Sequence, residues 1–315
     1  MSQPQYHGII PPIVTPLDEQ GGIDFRGLSN LVDRLVTGGV HGIFALGTTG
    51  EGPSLSMAMR QQVVSAVCDQ VKGRVPVMVG ITDTIFDGSV EVAEMAYAAG
   101  VVAVVLAPPY YLPMTQDELV DYTLRLADVV QLPIMLYNMP GCCKTWFEPA
   151  TVRRLSDHPK VIGLKDSSGD LDYFEQVVSL MSDRPEFCFF LGPEELMVSA
   201  IRKGCHGGVN GGANMFPRLY VSMYEAAARG DWPEAERLQN LILGVSSTIY
   251  EVSDGPSRII KGIKSVLQHL GVCNNSMAEP FEAHNAAELQ QIANHIDQLL
   301  SQLGDLALPC AEEAS

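Results

Sequence analysis

The sequence predicts an α/β fold: a (β/α)₈ TIM barrel over residues 1–230, followed by a helical extension over residues 231–315. Eight short apolar segments are each followed by a stretch with helical spacing, and their starts recur roughly every 25–35 residues. The segments are apolar throughout rather than alternating, as expected for parallel strands covered on both faces. Eight such units fit the barrel. A doubly wound open sheet is the alternative, but it normally has fewer units, and no GxGxxG follows the first strand.

The predicted elements follow one another in a regular cycle. The first helix, residues 25–37, places Leu28, Leu31 and Leu35 at helical spacing and ends at Gly38. The strands are expected at residues 8–15, 42–46, 76–81, 101–107, 132–138, 161–165, 186–191 and about 206–209. The later barrel helices are expected at about 56–71, 88–99, 116–130, 149–156, 171–182, 194–203 and 216–229.

Beyond Gly230 the strand signals stop. Residues 233–250, 258–270 and 286–303 read as helices, and the last of them carries one continuous apolar stripe. Asn285 with Glu288 resembles a capping box at its start. The tail from Gly304, which contains Pro309, is expected to be frayed.

Composition excludes several classes of function. The formal net charge of -17 argues against nucleic acid and anionic membranes as partners, because both require basic patches. No apolar run approaches the roughly 20 residues of a membrane span, and Met1 to Gln5 lack the features of a signal peptide. An odd count of seven cysteines without framework spacing suits a reducing cytoplasm. The seven histidines show no HxH or HExxH spacing, so no metal site is predicted.

Lys165 stands at the end of the sixth predicted strand, before a loop that begins with Ser167. Exposed lysines are common, so a surface residue is the alternative. At the end of a buried strand, however, desolvation lowers the pKa of a lysine. The neutral amine can then attack a carbonyl and form a Schiff base.

Other reactive residues occupy strand ends, where barrels of this kind carry their chemistry. Thr48 and Thr49 lie in a glycine-bracketed turn whose N–H groups and hydroxyls suit a carboxylate or phosphate, although an ordinary strand-to-helix turn is the alternative. Tyr137 could move protons opposite Lys165, or it could be a buried structural tyrosine. Tyr110 and Tyr111 follow the fourth strand and could equally belong to the core or to a subunit interface.

Three motifs occur together: Gly47-Thr48-Thr49-Gly50-Glu51, Tyr137-Asn138-Met139-Pro140 and Gly163-Leu164-Lys165-Asp166. With them the chain resembles, over roughly residues 8–300, the pyruvate-dependent class I aldolases that include N-acetylneuraminate lyase and dihydrodipicolinate synthase. The resemblance implies an imine between Lys165 and pyruvate, a proton shuttle at Tyr137, and carboxylate binding by Thr48 and Thr49. It also implies a backbone contact from Val209 and an aromatic relay or lining residue at Tyr110 or Tyr111. It further implies a homotetramer without metal or organic cofactor.

Departures from the family pattern concern the second half of the substrate. The synthase branch has an arginine where this chain has Cys142, although nearby Lys144 could replace it. Gly192-Pro193-Glu194-Glu195 is similar to the acidic pair with which the lyase branch binds sugar hydroxyls, and Ser167-Ser168-Gly169-Asp170 also looks more like that branch. Gly211 stands where the lyase branch often has a serine, which argues against full specificity for sialic acid.

We therefore expect a Schiff-base lyase, similar to N-acetylneuraminate lyase, that reversibly cleaves a 2-oxo (sugar) acid into pyruvate and an aldehyde. The alternatives are a dihydrodipicolinate synthase, a 2-keto-3-deoxy sugar acid dehydratase or aldolase, and a non-catalytic sugar-acid sensor. A symmetric homo-oligomer is expected. Asn210 is also expected at the outer mouth. The residues expected to contact the substrate beyond pyruvate are Ser167, Gly192, Glu194, Glu195 and Gly211.

Overall fold

The computed structural model describes residues 5–308 and shows eight parallel strands in a single sheet surrounded by helices. The strands are β1 (Gly8–Ile9), β2 (Ile43–Ala45), β3 (Val77–Gly80), β4 (Ala103–Leu106), β5 (Ile134–Asn138), β6 (Val161–Asp166), β7 (Cys188–Leu191) and β8 (Gly207–Gly208). They lie side by side in the order β1, β8, β7, β6, β5, β4, β3, β2. This order and the parallel pairing confirm the predicted (β/α)₈ barrel.

The segment after β1 closes the barrel against β2. The N–H of Phe44 donates to the carbonyl of Pro11 at 2.9 Å, and the N–H of Ile13 donates to the carbonyl of Phe44 at 2.9 Å. The regular ladder of β1 is nevertheless much shorter than the predicted 8–15. Pro11 and Pro12 have no N–H to donate, and a proline interrupts the hydrogen bonding of a central strand.

Helices cover the outside of the sheet and form the extension. The barrel helices are α1 (Phe25–Thr37), α2 (Met57–Val71), α3 (Phe86–Ala98), α4 (Gln116–Val129), α5 (Pro140–Cys143), α6 (Pro149–Leu155), α7 (Leu171–Leu180), α8 (Met197–Arg202) and α9 (Pro217–Ala228). The extension consists of α10 (Trp232–Ile249), α11 (Arg258–His269) and α12 (Ala286–Leu303). The sequence did not indicate the short helix α5. The predicted helix 194–203 is divided into a 3₁₀ turn, Glu194–Leu196, and α8.

Two apolar cores follow from the alternation of side chains along the strands. The inner core fills the barrel with residues such as Phe44, Met78 and Phe190. The outer core lies between the strands and the helices and includes Ile43, Val79 and further buried aliphatic residues. Because successive strand residues point to opposite faces, a side chain at a strand end projects either into the barrel mouth or into the helical layer.

The three helices of the extension lie close to their predicted positions, 233–250, 258–270 and 286–303. Asn285 accepts hydrogen bonds from the N–H groups of Ala287 and Glu288, and Glu288 accepts one from the N–H of Asn285 at 2.7 Å, so the capping box of α12 is confirmed. Residues Gly304–Ala307 form a 3₁₀ turn and Ala307 is buried, so the expected fraying from Gly304 is wrong for this part of the tail. The remaining tail, residues 309–315, lies outside the described residues.

Within residues 5–308, no helix combines the length and the apolar character required to cross a membrane. In the same range, no three histidine, cysteine, aspartate or glutamate side chains come together as a metal-binding group.

Candidate active site

The carboxyl ends of the strands open into a cavity of about 800 Å³. The barrel wall supplies one side of this cavity, and the extension supplies the other through residues of α10, α11 and the loop between them. The cavity brings together most of the residues singled out from the sequence: Thr48, Thr49, Tyr137, Lys165, Ser167, Gly192, Glu194, Glu195, Val209 and Gly211.

Lys165 lies at the base of the cavity and is only 3% exposed. Its Nζ is 3.8 Å from the centre of the Tyr137 ring and 4.9 Å from the centre of the Phe44 ring. Ring faces attract an ammonium group, but burial deprives it of hydration and has the larger effect. Burial lowers the pKa of Lys165 to about 7. A substantial fraction of the amine is therefore neutral near neutral pH and able to act as a nucleophile.

The orientation of Lys165 depends on its strand neighbours. Tyr137 pairs with Lys165 across β5 and β6, and Asn138 pairs with Asp166. The Asn138 amide donates to Asp166 Oδ1 at 2.9 Å, and Ser168 Oγ donates to Asp166 Oδ2 at 2.9 Å. Asn138 and Asp166 are fully buried, so this contact fixes both strand ends on the helical side. Because alternate residues face opposite sides, Tyr137 and Lys165 are directed together into the mouth.

Tyr137 connects Lys165 to the turn after β2. Its hydroxyl lies 3.3 Å from Thr48 Oγ1, and either group could be the donor. Burial raises the pKa of Tyr137 to about 12. The phenol is therefore protonated at neutral pH and can donate a proton that the Thr48 hydroxyl could pass on.

The turn after β2 presents free donors to the cavity. Within residues 5–308, no protein group accepts a hydrogen bond from the N–H of Thr48 or of Thr49. The carbonyl of Thr48, in contrast, accepts from the N–H of Glu51 at 3.1 Å, which holds the turn closed. Two adjacent free N–H groups and two hydroxyls form the kind of concavity that binds a carboxylate.

The β6, β7 and β8 ends form the opposite wall. A Cβ atom on Gly192 would lie 2.1 Å from Ser167 Oγ, so a side chain there would displace the serine hydroxyl. The N–H of Val209 donates to the carbonyl of Leu191 at 2.8 Å. A backbone contact between Val209 and substrate would therefore have to use its carbonyl. Gly211 also lines the cavity.

The acidic pair after β7 is divided between two environments. Glu194 is buried, and its carboxylate accepts from the N–H of Gly212 at 3.0 Å and from Ser246 Oγ at 2.6 Å. Burial raises the pKa of Glu194. Glu195 is exposed and is less restricted. Asn210, expected at the mouth, is fully buried, and its amide donates to the carbonyl of Gly192 at 2.9 Å.

A second cavity of about 300 Å³ adjoins the first at Thr48 and Tyr137. Tyr110 lines this second cavity, whereas Tyr111 is 75% exposed and lines neither. Cys142 lines both cavities, so the thiol occupies the place where an arginine was considered. Lys144 is exposed and lines neither cavity.

The extension contributes cavity residues that sequence reasoning missed. Ser246, Ser247, Glu251 and Arg258 all line the larger cavity. Arg258 donates to Glu251 Oε1 at 2.8 Å. No local pattern distinguishes these residues from other polar residues on amphipathic helices, so only the packing of the extension reveals them.

Comparison with known proteins agrees with this geometry. The family described as "Dihydrodipicolinate synthetase family" matches residues 5–299 of the chain. A 4-hydroxy-tetrahydrodipicolinate synthase of Stutzerimonas stutzeri is 34% identical over 87% of this chain and 91% of its own length.

Solved structures show the same relationship. A dihydrodipicolinate synthase from Bacteroides thetaiotaomicron is 44% identical and superposes with a TM-score of 0.91, covering 94% of this chain and 100% of that one. YagE from E. coli K12, solved in complex with pyruvate, is 27% identical with a TM-score of 0.88 and covers 94% of this chain and 99% of that one.

Proposed function

The chain belongs to the dihydrodipicolinate synthetase family of carbon–carbon lyases, and we propose that it reversibly cleaves a polyhydroxylated 2-oxo acid into pyruvate and an aldehyde. Members of the family form a Schiff base with pyruvate through a lysine and use no external cofactor. The proposal rests chiefly on one observation: Lys165 is buried at the base of the cavity, and its Nζ lies against the ring of Tyr137.

The proposed reaction uses the neutral amine of Lys165. It attacks C2 of the 2-oxo acid, and loss of water from the carbinolamine gives a protonated imine. Tyr137 would supply the proton for the departing hydroxyl and would be reprotonated through the Thr48 hydroxyl. The N–H groups of Thr48 and Thr49 would hold the substrate carboxylate, which orients C2 toward Lys165.

Bond cleavage then follows from the imine's electron demand. The proton of the C4 hydroxyl would pass through the Thr48 hydroxyl to the Tyr137 phenolate that the dehydration step leaves. The C3–C4 bond then breaks, and its electron pair moves through C3 to the iminium nitrogen. The aldehyde leaves, and an enamine of pyruvate remains on Lys165. Protonation of the enamine at C3 and hydrolysis of the imine release pyruvate and restore the free amine.

The aldehyde half is assigned from the outer part of the cavity. That part is lined by Ser247, Glu195 and the ion pair between Glu251 and Arg258. These side chains offer hydrogen-bond donors and acceptors, and the positive charge of Arg258 is balanced by Glu251. Cys142 supplies no charge to pair with a second carboxylate. A chain of hydroxyl groups satisfies such a surface better than an acidic aldehyde, which the carboxylates would repel. The volume of about 800 Å³ also accommodates a long substrate.

Trapping tests the covalent step directly. Borohydride reduction in the presence of pyruvate should add the mass of a reduced pyruvate adduct to the peptide that contains Lys165. The Lys165→Arg variant should give no adduct, because its guanidinium stays protonated and is not a nucleophile. An adduct on another lysine, or none in the unmodified enzyme, would remove the basis of the proposed function.

A second candidate is the condensation of pyruvate with aspartate semialdehyde. Relatives in several organisms are named 4-hydroxy-tetrahydrodipicolinate synthase, which favours this candidate. Arg258 also lines the cavity and provides a guanidinium that could bind a second carboxylate. In that case Arg258→Ala would impair semialdehyde condensation far more than imine formation with pyruvate.

A substrate panel separates the two candidates. We expect a higher kcat/KM for N-acetylneuraminate or a 2-keto-3-deoxy sugar acid than for 4-hydroxy-2-oxoglutarate or for pyruvate with aspartate semialdehyde. Product analysis identifies a dehydratase, since dehydration leaves the carbon chain intact. If the semialdehyde reaction were faster by about tenfold, a preference of roughly 1.4 kcal/mol in the transition state, the second candidate would replace the first.

A further inference from the structure

The carboxylate-binding turn, residues 47–52, has a backbone conformation that it cannot hold by itself. Leu46 and Glu51 adopt φ angles of 58° and 57°, in the left-handed region that residues with side chains rarely occupy. A Cβ atom on Gly52 would lie 2.3 Å from the carbonyl oxygen of Leu46, so the chain also passes very close to itself. Conformations of this kind persist only where surrounding structure holds them in place.

The side chain of Glu51 provides that hold from outside the barrel. Its Oε2 accepts a hydrogen bond from the N–H of Ala278 at 2.7 Å, across 227 residues of sequence. Its Oε1 forms an ion pair with Lys264 Nζ, and the two side chains are 2% and 0% exposed. Lys264 Nζ also donates to the carbonyl of Ser276 at 2.6 Å. Both of these partners of the carboxylate belong to the extension.

A short path connects this contact to the reacting groups. The N–H of Glu51 donates to the carbonyl of Thr48, and Thr48 Oγ1 lies 3.3 Å from the Tyr137 hydroxyl. The Tyr137 ring in turn lies against Lys165 Nζ. Glu51 also lines the second cavity beside Thr48 and Tyr137. A displacement of Glu51 would consequently move the free N–H groups of the turn and the partner of the Tyr137 hydroxyl.

We infer that Glu51 and Lys264 are positioning residues, and that their buried ion pair is the device by which the extension holds the turn in the geometry that binds the pyruvate carboxylate. The inference rests on the proposed function, because it assigns a role to the same turn. The inference also assigns a role to the extension: through Lys264, α11 supports pyruvate binding without contacting pyruvate.

Stability alone is a poor explanation of this pair. Burying two charges removes their hydration, and apolar residues of similar size often serve stability equally well or better. An apolar residue in place of Glu51, however, would have no oxygen to accept the hydrogen bond from the N–H of Ala278. The ion pair is therefore suited to fixing an orientation rather than only to filling space.

The test compares variants of the pair with a matched lysine elsewhere. Lys264→Met, Glu51→Gln and the double variant would be assayed for the pyruvate concentration that gives half-maximal borohydride trapping, for kcat, and for Tm. Lys160→Met is the control. Lys160 Nζ donates to the backbone carbonyls of Ala127 and Val130, as Lys264 Nζ donates to that of Ser276, but Lys160 lies on a different part of the barrel.

We expect Lys264→Met and Glu51→Gln to raise the half-maximal pyruvate concentration by about 10- to 100-fold, the range that follows from a small misplacement of binding groups. The control should lower Tm and leave this concentration unchanged. The double variant has no unpaired charge, so its Tm should be higher than that of either single variant, while its half-maximal pyruvate concentration should stay raised. If a single variant fails to fold, the double variant alone still tests the inference.

The possible failures are distinguishable. If the unmodified enzyme trapped no pyruvate, the proposed function would fall. If the unmodified enzyme trapped pyruvate and the double variant trapped it with the same concentration dependence, the positioning role would be overturned and the pair would be purely structural.

Discussion

At the scale of single residues, the reactivity of Lys165 results from two opposing effects. The faces of the Tyr137 and Phe44 rings attract a cation, whereas loss of hydration in the barrel mouth disfavours it. Within residues 5–308, no carboxylate pairs with Lys165 to favour its charged form. Burial therefore prevails and lowers the pKa of Lys165 from 10.5 to about 7.

This lowered pKa predicts how imine formation depends on pH. Only the neutral amine attacks, so the rate of imine formation with pyruvate should rise about tenfold per unit below pH 7 and level off above it. Single-turnover trapping between about pH 5.5 and 9 measures this profile. A rate that continued to rise toward pH 10 would mean that Lys165 keeps its ordinary pKa of 10.5 and that burial does not activate it.

At the scale of elements, the seam between β1 and β8 depends on the absence of side chains. Both residues of β8 are glycines, and a Cβ atom on Gly207 would lie 2.0 Å from the carbonyl oxygen of Gly8. Backbone atoms cannot move aside as the end of a flexible side chain can. In the glycine-rich segment 207–212, Gly207 therefore serves the close approach of two strands.

We therefore expect Gly207→Ala to lower the free energy of unfolding by about 2–3 kcal/mol, the upper part of the usual cost of overpacking. Gly244→Ala is the control. Gly244 lies within α10, and among residues 5–308 a Cβ atom added to it would meet no atom within 4 Å other than the nearby backbone of its own helix. Alanine there should stabilise the protein by about 0.5–1 kcal/mol through helix propensity. Urea unfolding measures both effects, and equal stabilities for the two variants would refute the steric explanation.

At the scale of the whole molecule, the exposed apolar residues indicate assembly. Tyr111 and Leu112 are adjacent and are 75% and 71% exposed. Neighbouring large apolar side chains on a surface are typical of interaction sites. The net charge of -17 opposes association between copies, so an interface has to bury apolar area to overcome that repulsion.

We predict a symmetric homo-oligomer with Tyr111 and Leu112 in its interface, and the family resemblance suggests a tetramer. Sedimentation at micromolar concentration should give a mass well above 34.1 kDa. Leu112→Asp should lower the sedimenting mass, because it places a charge in the interface. Leu180→Asp, which changes another exposed leucine, should leave the mass unchanged. A stable monomer of the unmodified chain would contradict the prediction.

Sequence periodicity was sufficient for the order of the eight strands and of the long helices, although it missed the short helix α5, and it located the strand ends at the base of the site. Apolar runs and helical spacing are local properties, and the barrel's geometry requires that strand ends meet. Lys165, Tyr137, Thr48 and Thr49 could therefore be placed around one mouth from the sequence alone. Their roles remain predictions until trapping and kinetics test them.

Only the tertiary structure decided which side chains face the cavity and what the extension does. Whether Asn210 reaches the mouth or turns inward to Gly192 depends on packing between strands, not on its position after β8. The contributions of Arg258 to the cavity and of Lys264 to Glu51 depend on where the last helices cross the barrel. Contacts between residues more than two hundred positions apart, such as Glu51 with Ala278, leave no periodic signal, because neither local spacing nor composition specifies the partner.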